Sequence, residues 1–248
     1  MANFMRTSNP ALNEKAFKGQ VAIGEAMTLQ GTVNKTGFLL LCVVATAAWT
    51  WGLSHSNAPD AALPWMMGGI LGGFVVALVT IFKRNWSPFT APIYALLEGL
   101  ALGGISAIFE LRYPGIAIQA VGLTFGTLFV MLLAYKTGII RATQGFKVGV
   151  IAATGGIAVF YLIGMVLRVF FHYQVPVIYA GGIWGILFSL FVVVVAALNL
   201  VLDFDLIESG VNGGAPKYME WYGAFGLMVT LIWLYLEILR LLSKARRR

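Results

Sequence analysis

Charge is what this chain has least of. Only 11% of its 248 residues are Asp, Glu, Lys or Arg, 59% are hydrophobic, and the mean hydropathy is +0.85. Soluble domains carry roughly twice that charged fraction, so the composition leaves a polytopic membrane protein as the only ordinary class. Cysteine is reduced to Cys42, inside an apolar run. A lone cysteine excludes an intrachain disulfide and predicts a small buried packing residue. The two histidines, His55 and His172, are far apart in sequence. Both are expected at the surface on one side of the membrane, the alternative being a weak metal site there. His-Glu-x-x-His, Gly-x-Ser-x-Gly and Cys/His clusters are all missing. An intramembrane aspartyl protease needs two aspartates facing each other on different spans. Of Asp60, Asp203 and Asp205, the first falls on the opposite side from the other two. The expectation is a protein that is not an enzyme and holds no cofactor.

The apolar runs are long enough to cross a bilayer as helices of about 20 residues. They come out as seven: Thr36–Leu53, Pro64–Phe82, Ala91–Ile108, Ile116–Tyr135, Val148–Phe171, Tyr179–Leu202 and Tyr222–Leu242. Connections are short, so the reading is an all-α integral membrane protein, a seven-transmembrane helical bundle. Residues 36–242 form the membrane domain, 1–35 an N-terminal tail, and 243–248 a basic C-terminal tail. The first apolar run starts too late and runs too long for the apolar core of a cleaved signal peptide. The mixed composition of the tail fits either a disordered segment or one lying along the interface.

The net charge of +7 does not suggest nucleic acid, because the basic residues sit in short loops and at the two ends. There they read as topology signals and contacts to anionic lipid. Arg6, Lys15, Lys18 and Lys35 precede the first span, Lys83 and Arg84 follow the second, and Lys136, Arg141 and Lys147 follow the fourth. That alternation predicts a cytoplasmic N-terminus. The tail with Lys244, Arg246, Arg247 and Arg248 disagrees, since an odd number of crossings sends it outside. Either the last segment is re-entrant or the three basic loops outweigh one tail; seven full spans are the expectation. Gly68–Gly72, Gly69–Gly73, Gly99–Gly103, Gly122–Gly126 and Gly181–Gly185 are spaced to let helices approach closely. Trp49, Trp51, Trp65, Trp86, Trp221 and Tyr222 fall near span ends, where aromatic residues anchor at the interface.

Against this apolar background a few polar residues stand out. Asp203 and Asp205 close the sixth run, which is uncharged from Tyr179 through Val201. An acid at such a position costs a few kcal/mol or more, and is therefore paired, hydrated or functional. Asn199 and Asp203 lie four apart on one helix face, which points to a buried polar role for Asp203. Asp205 and Glu208, three apart, read either as part of the same site or as wet interfacial residues. Glu98, inside the third span beside Gly99, is expected between helices. Glu237 and Arg240 are spaced for a local ion pair. Arg168 ends the fifth span, where it can snorkel to headgroups. Lys83 and Arg84 are topology determinants, or alternatively a cationic latch that reaches the acids of the sixth span.

Three stretches resemble the Bax inhibitor-1/YccA-like family of small membrane proteins. They are Tyr94-Ala95-Leu96-Leu97-Glu98-Gly99-Leu100-Ala101-Leu102-Gly103, Leu202-Asp203-Phe204-Asp205-Leu206-Ile207, and the last span with Leu236 to Leu242 around Arg240. The opening Arg6-Thr7-Ser8-Asn9-Pro10-Ala11-Leu12-Asn13 is similar to the bacterial YccA-like branch. The resemblance implies a bundle with its last helix central, and residence in a bacterial cytoplasmic membrane. It also implies pH-sensitive calcium leak, or regulation of a membrane-bound protease. In leak members two aspartates, one ending the sixth span and one in the seventh, share a proton and are engaged by an arginine. Asp203 matches the first; the second falls at Thr230, and the seventh span has no aspartate. Two functions follow as expectations. The first is a passive, pH-modulated cation leak with Asp203 as its acidic gate and calcium, weakly bound, as the transported ion. The alternative is a non-conducting regulator that binds a membrane-bound protease or other membrane complex.

Overall fold

A computed structural model describes residues 25–55, 59–173, 175–179 and 182–247. Seven helices there are long and apolar enough to cross a membrane. We number them α1 (Leu29–Ser54), α2 (Ala62–Phe82), α3 (Ser87–Arg112), α4 (Ile116–Lys136), α5 (Gln144–Phe171), α6 (Ile183–Asn212) and α7 (Met219–Ala245). Short helical turns at Pro59–Ala61, Arg84–Trp86 and Pro176–Tyr179 join some of them. No strand occurs among the described residues, only an isolated antiparallel bridge between Ala26 and Pro216.

The surface explains the solvent. Phe74, Phe82, Phe89, Phe129, Phe170 and Leu111 are each more than 60% exposed, along with many other large apolar side chains. Water does not tolerate apolar patches of that extent, whereas lipid does. The interior is inverted correspondingly: Asn199, Asp203, Glu220, Thr230, Glu237 and Lys244 are all buried. Buried threonines donate to carbonyls of their own helices, as Thr36 does to Thr32 and Thr124 to Ala120, which satisfies their hydroxyls without water. Burial is uneven. In α7, 67% of the most apolar window is buried, against 22% in α1 and 17% in α5.

The chain forms two compact units. One contains the described residues up to Pro114 together with Asp205–Val229; the other is built from Gly115–Phe204 and Thr230–Arg248. Within the first, α1 and α2 both pack on α3. The reason is legible in the glycines. A Cβ on Gly99 would collide with Thr46 Oγ1 and the Val43 carbonyl, and one on Gly103 with Thr50 Oγ1 and the Ala47 carbonyl. Thr46 Oγ1 also donates to the Leu96 carbonyl across that seam at 2.9 Å. Gly69 likewise abuts the backbone of Leu97 and Ala101 on α3. The second unit has its own core, with Ile157, Val192 and Val195 packed against Tyr161, Phe188 and Trp233.

Several expectations need correction. The first helix begins at Leu29, capped by Thr28, not near Thr36. Polar residues of the first turns disguised it, because a capping hydroxyl and side-chain pairs support a helix that hydropathy alone does not mark. Gly68, Gly122 and Gly126 have no atom within 4 Å of a would-be Cβ, so those glycines do not mediate packing. Cys42 is half-buried rather than buried. Tyr222, expected as an interface anchor, is fully buried, whereas Trp49, Trp65 and Trp86 are exposed as anchors should be. Gly181 and most of the N-terminal tail lie outside the described residues.

Candidate functional site

The second unit concentrates its buried polar groups on α6 and α7. Near the start of α6, the Lys244 ammonium from the end of α7 donates to Ser189 Oγ at 2.9 Å. It also donates to the carbonyls of Gly185 at 3.1 Å and Val177 at 3.2 Å. The end of α7 meets the start of α6, so within this unit the two helices run antiparallel.

The same contact fixes the register. Asp203 lies fourteen residues beyond Ser189 along α6, and Thr230 fourteen before Lys244 along α7. At 1.5 Å per residue, two antiparallel helices so pinned bring Asp203 and Thr230 to one level, about 21 Å from the Lys244 contact. Asp203 is fully buried and Thr230 is 3% exposed. The intervening α6 residue Asn199 is buried too, and its Nδ2 donates to Thr154 Oγ1 on α5 and to the Val195 carbonyl, both at 2.8 Å.

Between the two levels stands Glu237, seven residues from both Thr230 and Lys244. Seven residues are nearly two turns, so the three share one stripe of α7. The Glu237–Arg240 ion pair expected from the sequence forms at 2.7 Å. Tyr161 of α5 completes it: its hydroxyl donates to Glu237 Oε2 at 3.1 Å and accepts from Arg240 at 2.6 Å, and the guanidinium lies 5.0 Å from the ring centroid. One tyrosine thus satisfies both ions, which lowers the cost of holding them away from water.

The remaining candidates fall elsewhere. Asp205 is half-buried and Glu208 exposed, and both belong to the first unit. Glu98 is half-buried between α2 and α3, hydrogen-bonded to Tyr94 and close against Gly73. Lys83 is exposed at the end of α2. Arg84 is half-buried, its guanidinium 5.8 Å from the Tyr222 ring centroid. His55 and His172 are both exposed, and among the described residues no three His, Cys, Asp or Glu side chains converge on a metal-sized site.

Sequence reasoning missed a clasp in the first unit. Glu220, in the first turn of α7, is fully buried. Its carboxylate accepts from the Thr28 N–H and hydroxyl, both at 2.8 Å, and is ion-paired with Lys35, while Lys217 stands 3.4 Å away. Backbone bonds from Met27 N–H to the Ala215 carbonyl and from Lys217 N–H to the Glu25 carbonyl close the arrangement. Gly31 leaves room for it, since a Cβ there would land on the carboxylate and displace it. The available signal was weak: one lysine in the first turns of an apolar helix and one acid at the start of another, nearly two hundred residues away. Lys244 belongs to the buried stripe of α7 and not to a basic tail, in keeping with its seven-residue spacing from Glu237.

A family model described as Bax inhibitor 1 like matches residues 9–247. The chain belongs to that family. No curated protein and no solved structure matches it. The family match extends from the N-terminal tail through α7, so the clasp and the buried stripe both lie within the Bax inhibitor 1 like region.

Proposed function

We propose that this Bax inhibitor 1 like protein is a passive, pH-modulated cation leak, with calcium the expected ion and Asp203 its acidic gate. The observation that carries the reading is Asp203 itself, a carboxylate with no exposed surface in a strongly apolar helix. Asn199 and Thr230 add buried polar groups at and near its level. A bundle held together only by packing gains nothing from an acid there, since burial of a carboxylate is costly unless it is used. One buried carboxylate supplies too few oxygens for a tight calcium site, which takes six to eight, so the contact is transient, as a leak requires. The basic residues before α1 and after α2 and α4 support a cytoplasmic N-terminus by the positive-inside rule. The N-terminal resemblance to the YccA-like branch supports a bacterial cytoplasmic membrane.

The test is calcium flux into proteoliposomes over a pH series for the wild type and Asp203→Asn. A flux that the substitution alters in size or pH dependence supports the reading; equal flux in both, or none in either, overturns it. Thr230 favours the second reading, a non-conducting regulator of a membrane-bound protease or other complex, because a neutral residue stands where a proton-sharing pair needs an acid. Absence of flux together with co-purification of a membrane protease would support that reading.

A further inference from the structure

Lys244 is 3% exposed, and its ammonium is surrounded by oxygens: Ser189 Oγ at 2.9 Å, the Gly185 carbonyl at 3.1 Å and the Val177 carbonyl at 3.2 Å. None of the three oxygens carries a formal charge. A lysine near a helix end ordinarily extends its stem and leaves its charge in water, yet this one turns inward. The three oxygens therefore stand in for part of the hydration shell of a cation of about ammonium size, as backbone carbonyls do for large monovalent ions. Calcium is a poor fit, because its oxygens, carboxylates among them, stand closer, at about 2.3–2.6 Å. Magnesium demands a tighter octahedron still, at about 2.0–2.1 Å.

We propose that Val177, Gly185 and Ser189 form a monovalent-cation site that the chain occupies with its own Lys244 ammonium. The lysine is a tethered ligand, present at a concentration no free ion reaches, so the site takes up potassium or ammonium only when Lys244 is withdrawn or replaced. The inference does not depend on conduction. It assigns to the end of α7 a cation site separated from Asp203 by about 21 Å of helix.

The experiment uses the purified full chain with Lys244→Met, which keeps the stem and removes the charge. Thermal unfolding is followed in potassium chloride and in N-methyl-glucamine chloride of equal ionic strength. The expected result is a saturable rise in Tm with potassium for Lys244→Met, no such difference for the wild type, and loss of the rise when Ser189→Ala is added. Equal melting of folded Lys244→Met in the two salts overturns the proposal, since a lysine acting only as a clamp leaves no ion-selective site behind. Should the variant be hard to recover, purification in the two salts decides: folded protein from potassium buffer alone supports the site, and unfolded protein from both overturns it.

Discussion

Replacing Glu220 by alanine is the perturbation whose consequences the structure specifies most fully. The carboxylate is fully buried and serves four groups: the Thr28 N–H, the Thr28 hydroxyl, Lys35 and Lys217. Removing one partner of a buried ion pair costs about 3–5 kcal/mol, because the other charge is left without compensation. The Lys35 side chain retains 18% exposure and can partly reorient, which places the loss near the lower end, at about 3 kcal/mol. Glu220→Gln keeps an oxygen for Thr28 but no charge for Lys35, so about 1.5–3 kcal/mol is expected, the range for hydrogen bonds to charged groups. For a chain of this size each kcal/mol shifts Tm by about 2–4 °C, giving about 6–12 °C for the alanine variant. Reversible unfolding of the purified protein in detergent measures both. A double-mutant cycle with Lys35→Met isolates the pair, with a coupling of about 1–3 kcal/mol expected for contacting residues. Alanine and glutamine variants that both melt within about 1 °C of the wild type, or additive effects of Lys35→Met and Glu220→Ala, would refute the clasp as a stabilising contact.

Gly99→Leu should prevent folding or lower Tm by about 2–12 °C, from an overpacking cost of about 1–3 kcal/mol, because its Cβ already collides with Thr46 and Val43; Gly122→Leu, which meets open space, should leave Tm unchanged in the same assay. Asn199→Leu removes the donor to Thr154 and should cost about 1–2 kcal/mol by the same unfolding measurement. Thr230→Asp places a second acid level with Asp203, so any pH-dependent flux or label-detected motion of α6 against α7 should steepen from one proton toward two; an unchanged slope would contradict the register derived from Lys244 and Ser189. Tyr161→Phe leaves Glu237 and Arg240 paired but without their shared hydroxyl, and should lower stability by about 1–3 kcal/mol, whereas no loss would show that the ion pair is self-sufficient.

The sequence by itself determined the class of solvent and the number of crossings. Both depend on the local quantity of apolar side chain per turn, which neighbouring residues in the chain decide among themselves. Local spacing was enough for the Glu237–Arg240 pair, because residues three apart on one helix meet whatever else the chain does. The same locality marked Asp203 as anomalous in its run. What only the tertiary structure decided were the partners that come from distant helices. Tyr161 between Glu237 and Arg240, Thr154 on Asn199, Ser189 on Lys244, and Thr28 with Lys35 on Glu220 each join residues between 45 and 192 positions apart. No periodicity in one segment encodes which face of another it will meet. The spacing of glycines shows the same division. Four-residue intervals were visible at Gly69, Gly99, Gly122 and Gly126 alike, yet only the first two abut another helix. A small residue permits close approach, and the arrangement of whole helices decides whether an approach takes place.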